Sequence, residues 1–187
     1  ASAHAIWSEG CIPITEPIQF QTRSGRLSAE RVGELIELDF PALPVNACEA
    51  PPGLAESLGV PLDFVGNYGM DYLCEVADET TLRDLRPDFA RLRQVRTRGL
   101  IVTSPSKDRR YDFVSRFFAP AVGIDEDPVT GSAHCALATY WAPRIGRCEL
   151  LGFQASPRGG EVRIQLRGNR VGLGGRAVTV IRGSLLS

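Results

Sequence analysis

The spacing of apolar and polar residues in the first forty positions predicts a short helix followed by antiparallel strands. Apolar and polar residues alternate after residue 17, which is the pattern of a strand with one buried face. The predicted elements are a helix over residues 1–7, strands over 17–22 and 26–40, a turn at Arg23-Ser-Gly25, and a break near Gly33. Four prolines lie between residues 41 and 52, so we expect a boundary between two structural units near residues 40–48.

The rest of the chain has the pattern of many strands around one long apolar helix. The predicted helices cover a short segment between Pro52 and Gly59, residues 79–94 with an interruption before Pro87, and residues 131–146. The predicted strands cover residues 63–66, 72–77, 99–103, 112–118, 149–155, 161–166, 170–173 and 177–186, with a turn at Gly66-Asn67-Tyr68-Gly69. The helix over residues 131–146 has almost no polar face, as expected of a helix that a sheet encloses.

Composition and charge narrow the class of protein. The 187 residues, of which 43% are hydrophobic and 23% charged, suffice for one large core or two small ones in a soluble globular protein. No apolar run approaches the roughly 18 residues that span a bilayer, and no signal segment heads the chain, so we expect a cytoplasmic protein without a membrane partner. The net charge of −1 and the scattered arginines provide no general field that would attract nucleic acid.

The cysteines and histidines do not form a recognisable framework. The chain has five cysteines, an odd number, and they are widely spaced and mostly surrounded by apolar residues. It has only two histidines. This pattern predicts neither a set of disulfides nor a metal site. We therefore expect no bound metal.

One run of residues combines an acidic pair with a helix start. In the stretch from Gly123 to His134, two acids precede a Thr-Gly-Ser turn that opens the apolar helix. The first backbone N–H groups of a helix have no intrahelical acceptors, so they can hold a substrate carboxylate. Asp127 lies one short turn away, placed for proton chemistry or for binding a polar group. The alternative is an ordinary core helix capped by Thr130, with two solvated acids in front of it.

Three stretches of the chain closely resemble the PhzF-like isomerases of phenazine biosynthesis, which have the fold of diaminopimelate epimerase. They are Arg116-Phe-Phe-Ala-Pro, Gly123-Ile-Asp-Glu-Asp-Pro-Val-Thr-Gly-Ser-Ala-His134 and Gln154-Ala-Ser-Pro-Arg-Gly-Gly160, and weaker similarity covers essentially the whole chain. The resemblance implies an α+β fold in which an antiparallel, barrel-like sheet wraps around a central helix. It also implies two pseudo-symmetric halves with the site between them. We expect residues 1–43, joined by 176–187, to belong to the first half and residues 44–175 to form the second.

The resemblance further implies a cofactor-independent isomerase or epimerase that moves a proton on a small carboxylic acid. Catalytic roles are expected for Asp127 and Ser132, and substrate-binding roles for Thr130, Gly131 and Ser132. The backbone N–H groups of Gly131 and Ser132 would hold the substrate carboxylate while charge builds on it, and the Ser132 hydroxyl would be a further donor. Diaminopimelate epimerase and proline racemase have a cysteine in place of Asp127, which argues against racemisation by two cysteines here.

Part of the family's catalytic machinery is expected upstream of this chain. The catalytic glutamate and a Gly-His pair belong to the first half, before the place where residues 1–7 align, so the chain looks truncated at its N-terminus and is expected to be inactive alone. His4 is expected to be a core or helix-face histidine and not the family's missing histidine. Homodimers are usual in the family, so a homodimer is the assembly we expect. The alternatives are a catalytically incomplete module that binds small carboxylates, and an interaction protein whose exposed face is covered by a partner chain.

The remaining polar residues of the three stretches are assigned structural roles. Arg116 and Arg158 are expected in structural ion pairs, and Glu126 is expected to be a first-turn acid favoured by the helix dipole. Cys135 is interpreted as a small core residue. The position of His134 is left open between the cleft and the outside of the helix.

Overall fold

The computed structural model describes residues 1–22 and 25–184 of the chain. The helices are α1 (Ser2–Ser8), α2 (Leu54–Leu58), α3 (Glu79–Asp84), α4 (Phe89–Leu92) and α5 (Gly131–Ile145), with a 3-10 turn at Pro120–Val122. The strands are β1 (Ile18–Thr22), β2 (Gly25–Val32), β3 (Leu35–Pro41), β4 (Asn46–Ala47), β5 (Phe64–Tyr68), β6 (Asp71–Glu75), β7 (Leu100–Pro105), β8 (Phe113–Phe118), β9 (Glu149–Gln154), β10 (Gly160–Arg167) and β11 (Arg170–Gly175). The predicted turn at Arg23-Ser-Gly25 involves two residues that lie outside the described part of the chain.

All eleven strands form one sheet in the order β1-β2-β3-β11-β10-β9-β8-β7-β6-β5-β4. The pairs β6–β7 and β8–β9 are parallel, and the other pairs are antiparallel. The predicted α+β class and the mainly antiparallel sheet are confirmed, although the sheet is open and does not close into a barrel.

The long helix α5 forms the centre of the main hydrophobic core. Nine of its fifteen residues are buried, and they pack against apolar side chains of β6 to β11, among them Ile101, Phe113 and Leu150. Trp141 stacks on Phe113 with ring centroids 5.9 Å apart. The helix ends at Gly146, which adopts a left-handed conformation with φ 79° that glycine reaches without strain. The expectation of a helix without a polar face is confirmed.

Two smaller cores flank the main one. The short helices α2, α3 and α4 pack on apolar residues of β6, β7 and β8, whereas α1 packs on β1, β2 and β3. The α1 core includes Ala177, which follows β11. The sheet nevertheless continues without a break from β3 to β11, where Phe40 pairs with Val171. The division into residues 1–43 with 176–187 and residues 44–175 stays a prediction.

Two details differ from the sequence-based expectations. Residues 177–184 have no regular structure although a strand was predicted, and Val178, Val180 and Ile181 are at least 79% exposed. A β-rich sequence forms a strand only where a neighbour pairs with it, and no described strand pairs with this segment. The predicted turn at residues 66–69 lies later, at Gly69 and Met70, because β5 continues to Tyr68. None of the helices in the described residues has the length and apolar character needed to cross a membrane.

Candidate active site

The segment from Asp127 to Ser132 connects the end of β8 to the start of α5. After β8 the chain makes the 3-10 turn and reverses at Gly123, whose φ is 88°. It then returns to the sheet, where the Asp127 N–H donates a hydrogen bond of 3.0 Å to the carbonyl of Phe117. This contact places Asp127 beside the last residues of a buried strand, four residues before the first residue of α5.

Thr130 occupies the N-cap position of α5, but its side chain does not cap the helix. Its hydroxyl instead forms a short hydrogen bond to Oδ2 of Asp127, in which the hydroxyl donates to the carboxylate. Within the described residues, the backbone N–H groups of Gly131, Ser132 and Ala133 have no acceptor. The alternative of a helix capped by the Thr130 side chain is therefore wrong, and the first turn of α5 is open to a ligand.

Gln154, the last residue of β9, ties the Asp127–Thr130 segment to the sheet. Its Nε2 donates to the carbonyl of Asp127 at 2.6 Å, and its Oε1 accepts from the Thr130 N–H at 2.8 Å. Its side chain is fully buried. Gln154 lies in one of the three stretches that resemble the family, but the sequence alone predicts no role for it. The signal that could have identified it is a glutamine on the buried face of β9, where Leu150 and Gly152 are the other buried residues.

The turn between β9 and β10 packs against the same segment. The Ser156 hydroxyl donates to the carbonyl of Pro128 at 2.8 Å and accepts from the Gly159 N–H at 3.1 Å. Gly160 pairs with Gln154 across the sheet and lies so close to Val129 that an added Cβ would be 2.3 Å from its Cγ2. Residues from one hairpin therefore fix both the polar and the apolar side of the segment.

The start of α5 borders an open concavity of about 910 Å³. Val129, Gly131, Arg158 and Gly160 line it on one side, and residues of α1, β1 to β3 and β9 to β11 line the rest. Gly131 is exposed and Ser132 is half-buried, and the Ser132 hydroxyl has no hydrogen-bond partner among the described residues. The structure thus brings Asp127 and Thr130 together just before Gly131 and Ser132, but of these four residues only Gly131 lines the concavity.

Arg116 and Glu126 form a bidentate ion pair next to this site. The Nε–Oε1 and Nη2–Oε2 distances are 2.8 and 2.9 Å, and Nη1 of Arg116 donates to the carbonyl of Leu85 at 2.9 Å. The predicted structural ion pair of Arg116 is confirmed. The prediction of Glu126 as a first-turn acid is wrong, because Glu126 precedes α5 and pairs with the guanidinium instead. For Arg158 the predicted ion pair is not found among the described residues, where this side chain is exposed.

His134 and Cys135 lie on the first turns of α5 and are both buried. Nδ1 of His134 is 2.7 Å from the carbonyl of Thr130, so Nδ1 carries the proton and donates. Nε2 is buried and has no hydrogen-bond partner in the described part of the chain. Burial lowers the pKa of His134 to about 4, so the ring is neutral at pH 7. Burial also raises the pKa of Cys135 to about 12, and its place in the core confirms the prediction.

His4 lies far along the chain from the candidate site, on the partly exposed face of α1. Its Nε2 is 3.0 Å from the hydroxyl of Thr179. The expectation of a helix-face histidine is confirmed.

Comparison with known proteins identifies the family. The profile of the PhzC-PhzF family, described as phenazine biosynthesis-like proteins, matches residues 1–183. An uncharacterized isomerase of Halalkalibacterium halodurans is 49% identical over 187 residues, which are 100% of this chain and 71% of that protein. An uncharacterized isomerase of Pseudomonas aeruginosa is 46% identical over 90% of this chain and 64% of its own length. A human phenazine biosynthesis-like domain-containing protein is 35% identical over 90% of this chain and 65% of its own length.

Solved structures agree with this assignment. A putative phenazine biosynthesis PhzC/PhzF protein of Clostridium difficile has a TM-score of 0.87 at 32% identity, covering 100% of this chain and 71% of that one. A PhzF-family protein of Enterococcus faecalis has a TM-score of 0.85 at 33% identity, covering 94% of this chain and 66% of that one. The chain thus spans about two thirds of the length of these relatives. It belongs to the PhzC-PhzF family of phenazine biosynthesis-like proteins.

Proposed function

We propose that this chain contributes the carboxylate-binding part of a cofactor-independent isomerase or epimerase that moves a proton on a small carboxylic acid. The observation that carries the proposal is the open first turn of α5, where the Thr130 hydroxyl bonds to Asp127 rather than to the helix. The names of the bacterial relatives support the reaction class, since they are called isomerases. The substrate is a small acid in this proposal because the site offers backbone donors for one carboxylate group.

The N–H groups of Gly131 and Ser132 would bind the substrate carboxylate. Removing the proton from the adjacent carbon spreads negative charge onto that carboxylate, so donors fixed in place stabilise the transition state more than the ground state. The Ser132 hydroxyl would add a third donor, since it has no partner among the described residues. Both N–H groups lie at the positive end of a fifteen-residue helix, which further favours an anion.

Asp127 would act next to the carboxylate. One of its oxygens accepts the Thr130 hydrogen bond, and the other has no partner in the described part of the chain. The second oxygen can accept a hydrogen bond from a substrate amine or hydroxyl, or exchange a proton with a second acid. In the complete reaction one group takes the proton from carbon and another returns a proton to it. We assign one of these steps to a glutamate upstream of this chain.

The test is exchange of the substrate's α-proton with solvent deuterium, followed by ¹H NMR over a panel of amino acids and cyclic acids. The protein carries its natural upstream sequence. We expect exchange with at least one acid, and a loss of about 100-fold or more in Asp127→Asn and Ser132→Ala. Asp125→Asn serves as the control, because this neighbouring acid is exposed and its one ion pair among the described residues is with Arg93 at 3.5 Å. Equal rates in Asp127→Asn and the wild type would contradict the assignment.

The second candidate is a module that binds small carboxylates without turning them over. The open α5 start favours it, because backbone donors bind an anion whether or not a base is present. Benzoate binding by the chain of 187 residues, together with no proton exchange by the longer protein, would support this candidate over the isomerase.

A further inference from the structure

We propose that Gln154 is a positioning residue that keeps the first turn of α5 open by fixing Asp127 and Thr130 relative to each other. This inference rests on the proposed function, because the carboxylate site at Gly131 and Ser132 is what Gln154 positions. It assigns a role in the site to a side chain that lies on a different strand and does not line the concavity.

The contacts of Gln154 join both ends of the Asp127–Thr130 segment. Nε2 donates to the Asp127 carbonyl at 2.6 Å and lies 3.4 Å from the Thr130 hydroxyl oxygen, while Oε1 accepts from the Thr130 N–H at 2.8 Å. One backbone partner is an acceptor and the other is a donor, so the amide can satisfy both in only one orientation. A single planar group therefore sets the distance between the two residues.

The burial of Gln154 argues that this contact is specific. Its side chain is 0% exposed, and it stands in register with the buried Ser115 on β8. A buried amide is costly unless its hydrogen bonds are formed, and an apolar side chain of similar size would fill the same space without that cost. The polar group therefore serves the segment to which it bonds rather than the packing of the sheet.

The Thr130 hydroxyl could form either of two hydrogen bonds, and which of them it forms decides whether the first N–H groups of α5 stay free. At an N-cap, a threonine hydroxyl normally accepts a hydrogen bond from an N–H group of the first helical turn. Such a bond would occupy a donor needed for the substrate carboxylate. Because Gln154 holds the Thr130 N–H and the Asp127 carbonyl, the hydroxyl stays next to the Asp127 carboxylate and bonds to it.

The experiment compares Gln154→Met, which keeps the volume and removes both hydrogen bonds, with the matched change Gln165→Met. Gln165 lies on β10 and contacts surface residues, with its Nε2 3.4 Å from Oε1 of Glu149. The probe is benzoate, titrated into the ¹⁵N-labelled chain while the amide signals of Gly131 and Ser132 are followed by NMR. Thermal unfolding measured on each variant checks that it is folded. Gln154→Asn is the second variant, since it keeps an amide but is one methylene shorter, so it cannot reach both the Asp127 carbonyl and the Thr130 N–H.

We expect the benzoate Kd of folded Gln154→Met to rise about tenfold or more, with Gln154→Asn affected similarly and Gln165→Met within twofold of the wild type. If Gln154→Met does not fold, Gln154→Asn decides the question. A folded Gln154 variant that binds benzoate as the wild type does would overturn the positioning role while leaving the proposed function intact. Failure of the wild type to bind benzoate at Gly131 and Ser132 would instead overturn the proposed carboxylate site itself.

Discussion

Asp78 before α3 and Thr130 before α5 are both residue types that commonly cap a helix, but their side chains form different hydrogen bonds. At α3 the Asp78 side chain accepts a hydrogen bond of 2.7 Å from the Thr81 N–H, as a capping residue does. At α5 the Thr130 side chain turns away and donates to Asp127, so the first N–H groups stay free. Under the proposed function, α3 is a structural helix, whereas the uncapped start of α5 is the anion site.

The capped start of α3 also shows how a helix N-terminus changes the pKa of a carboxylate. The hydrogen bond from the Thr81 N–H, together with contacts to Lys107, lowers the pKa of Asp78 to about 2. A substrate carboxylate at α5 would occupy the equivalent place and benefit from the same donors. Helix caps typically stabilise a protein by about 1 kcal/mol, so α5 forgoes roughly this amount in the unliganded state.

Several contacts near α5 offset the missing cap. The ion pair of Arg116 and Glu126, the hydrogen bonds of Gln154 and the packing of Gly160 on Val129 all hold the residues before the helix. The cap of α3, by comparison, lies at the surface, where Lys107 and Asp78 are 59% and 43% exposed, although Leu82 of the same helix is buried in the core. We expect the open start of α5 to depend on these buried contacts.

The largest expected effect on stability is at Glu126. In Glu126→Gln the Arg116 guanidinium stays buried without its charged partner, so we expect a loss of about 3–5 kcal/mol in the free energy of unfolding. Urea denaturation measures it. The neighbouring change Asp125→Asn is the control and should cost less than about 0.5 kcal/mol, because its ion pair is exposed. Equal effects of the two changes would mean that the Arg116–Glu126 pair does not support the segment.

The next largest expected effect is the contribution of His134 to the pH dependence of the free energy of unfolding. Its pKa of about 4 in the folded chain lies below the ordinary value near 6.5, so the unfolded state binds more protons between these values. The stability contribution is therefore complete above pH 6.5 and is lost as the pH falls towards 4, by up to about 3 kcal/mol.

The measurement is the free energy of unfolding from pH 7.5 to 4 in the wild type, His134→Gln and His4→Gln. His4→Gln is the control for the loss of a histidine that lies outside the cores. His134→Gln should show a weaker dependence across this range. A wild-type slope retained in His134→Gln would contradict the burial of a neutral imidazole.

Gly160→Ala tests the apolar support of the segment. The added methyl group would lie 2.3 Å from Cγ2 of Val129, so that the segment before α5 must shift, at a cost of about 1–3 kcal/mol. Gly175→Ala is the matched control, since nothing lies within 4 Å of its added methyl group. We expect only Gly160→Ala to lower the unfolding temperature and weaken benzoate binding. Unchanged benzoate affinity would show that the position of Val129 does not affect the site.

The smallest expected effects come from substitutions of the two N-cap residues, which distinguish the start of α3 from the start of α5. Asp78→Ala removes a real cap and should lower the unfolding temperature slightly while leaving benzoate binding unchanged. Thr130→Val removes no cap, so we expect little change in unfolding temperature but weaker benzoate binding, because Asp127 loses its hydrogen-bond donor. Differential scanning fluorimetry with and without benzoate distinguishes these outcomes. The reverse pattern would mean that the two starts have been assigned the wrong way round.

The sequence predicted the helices and strands around the site better than the contacts within it. The bounds of α5 follow from an apolar run that begins after Thr-Gly-Ser and ends at Gly146, and both signals are local. The role of Gln154 is not local, because it depends on β8 and β9 pairing in parallel so that Gln154 lies opposite Ser115. The direction of the Thr130 side chain could not be predicted for a similar reason. Two partners compete for it, and contacts from another strand decide between them.

In the proposed function the start of α5 binds a carboxylate, whereas the start of α3 does not. The most direct test is a titration of the ¹⁵N-labelled chain with benzoate, comparing the amide signals of Gly131 and Ser132 with that of Thr81. We expect the first two signals to move saturably and the Thr81 signal to stay in place, because the Asp78 side chain already occupies that N–H. Movement of Thr81 alone, or no movement at Gly131 and Ser132 up to high benzoate concentration, would contradict the claim.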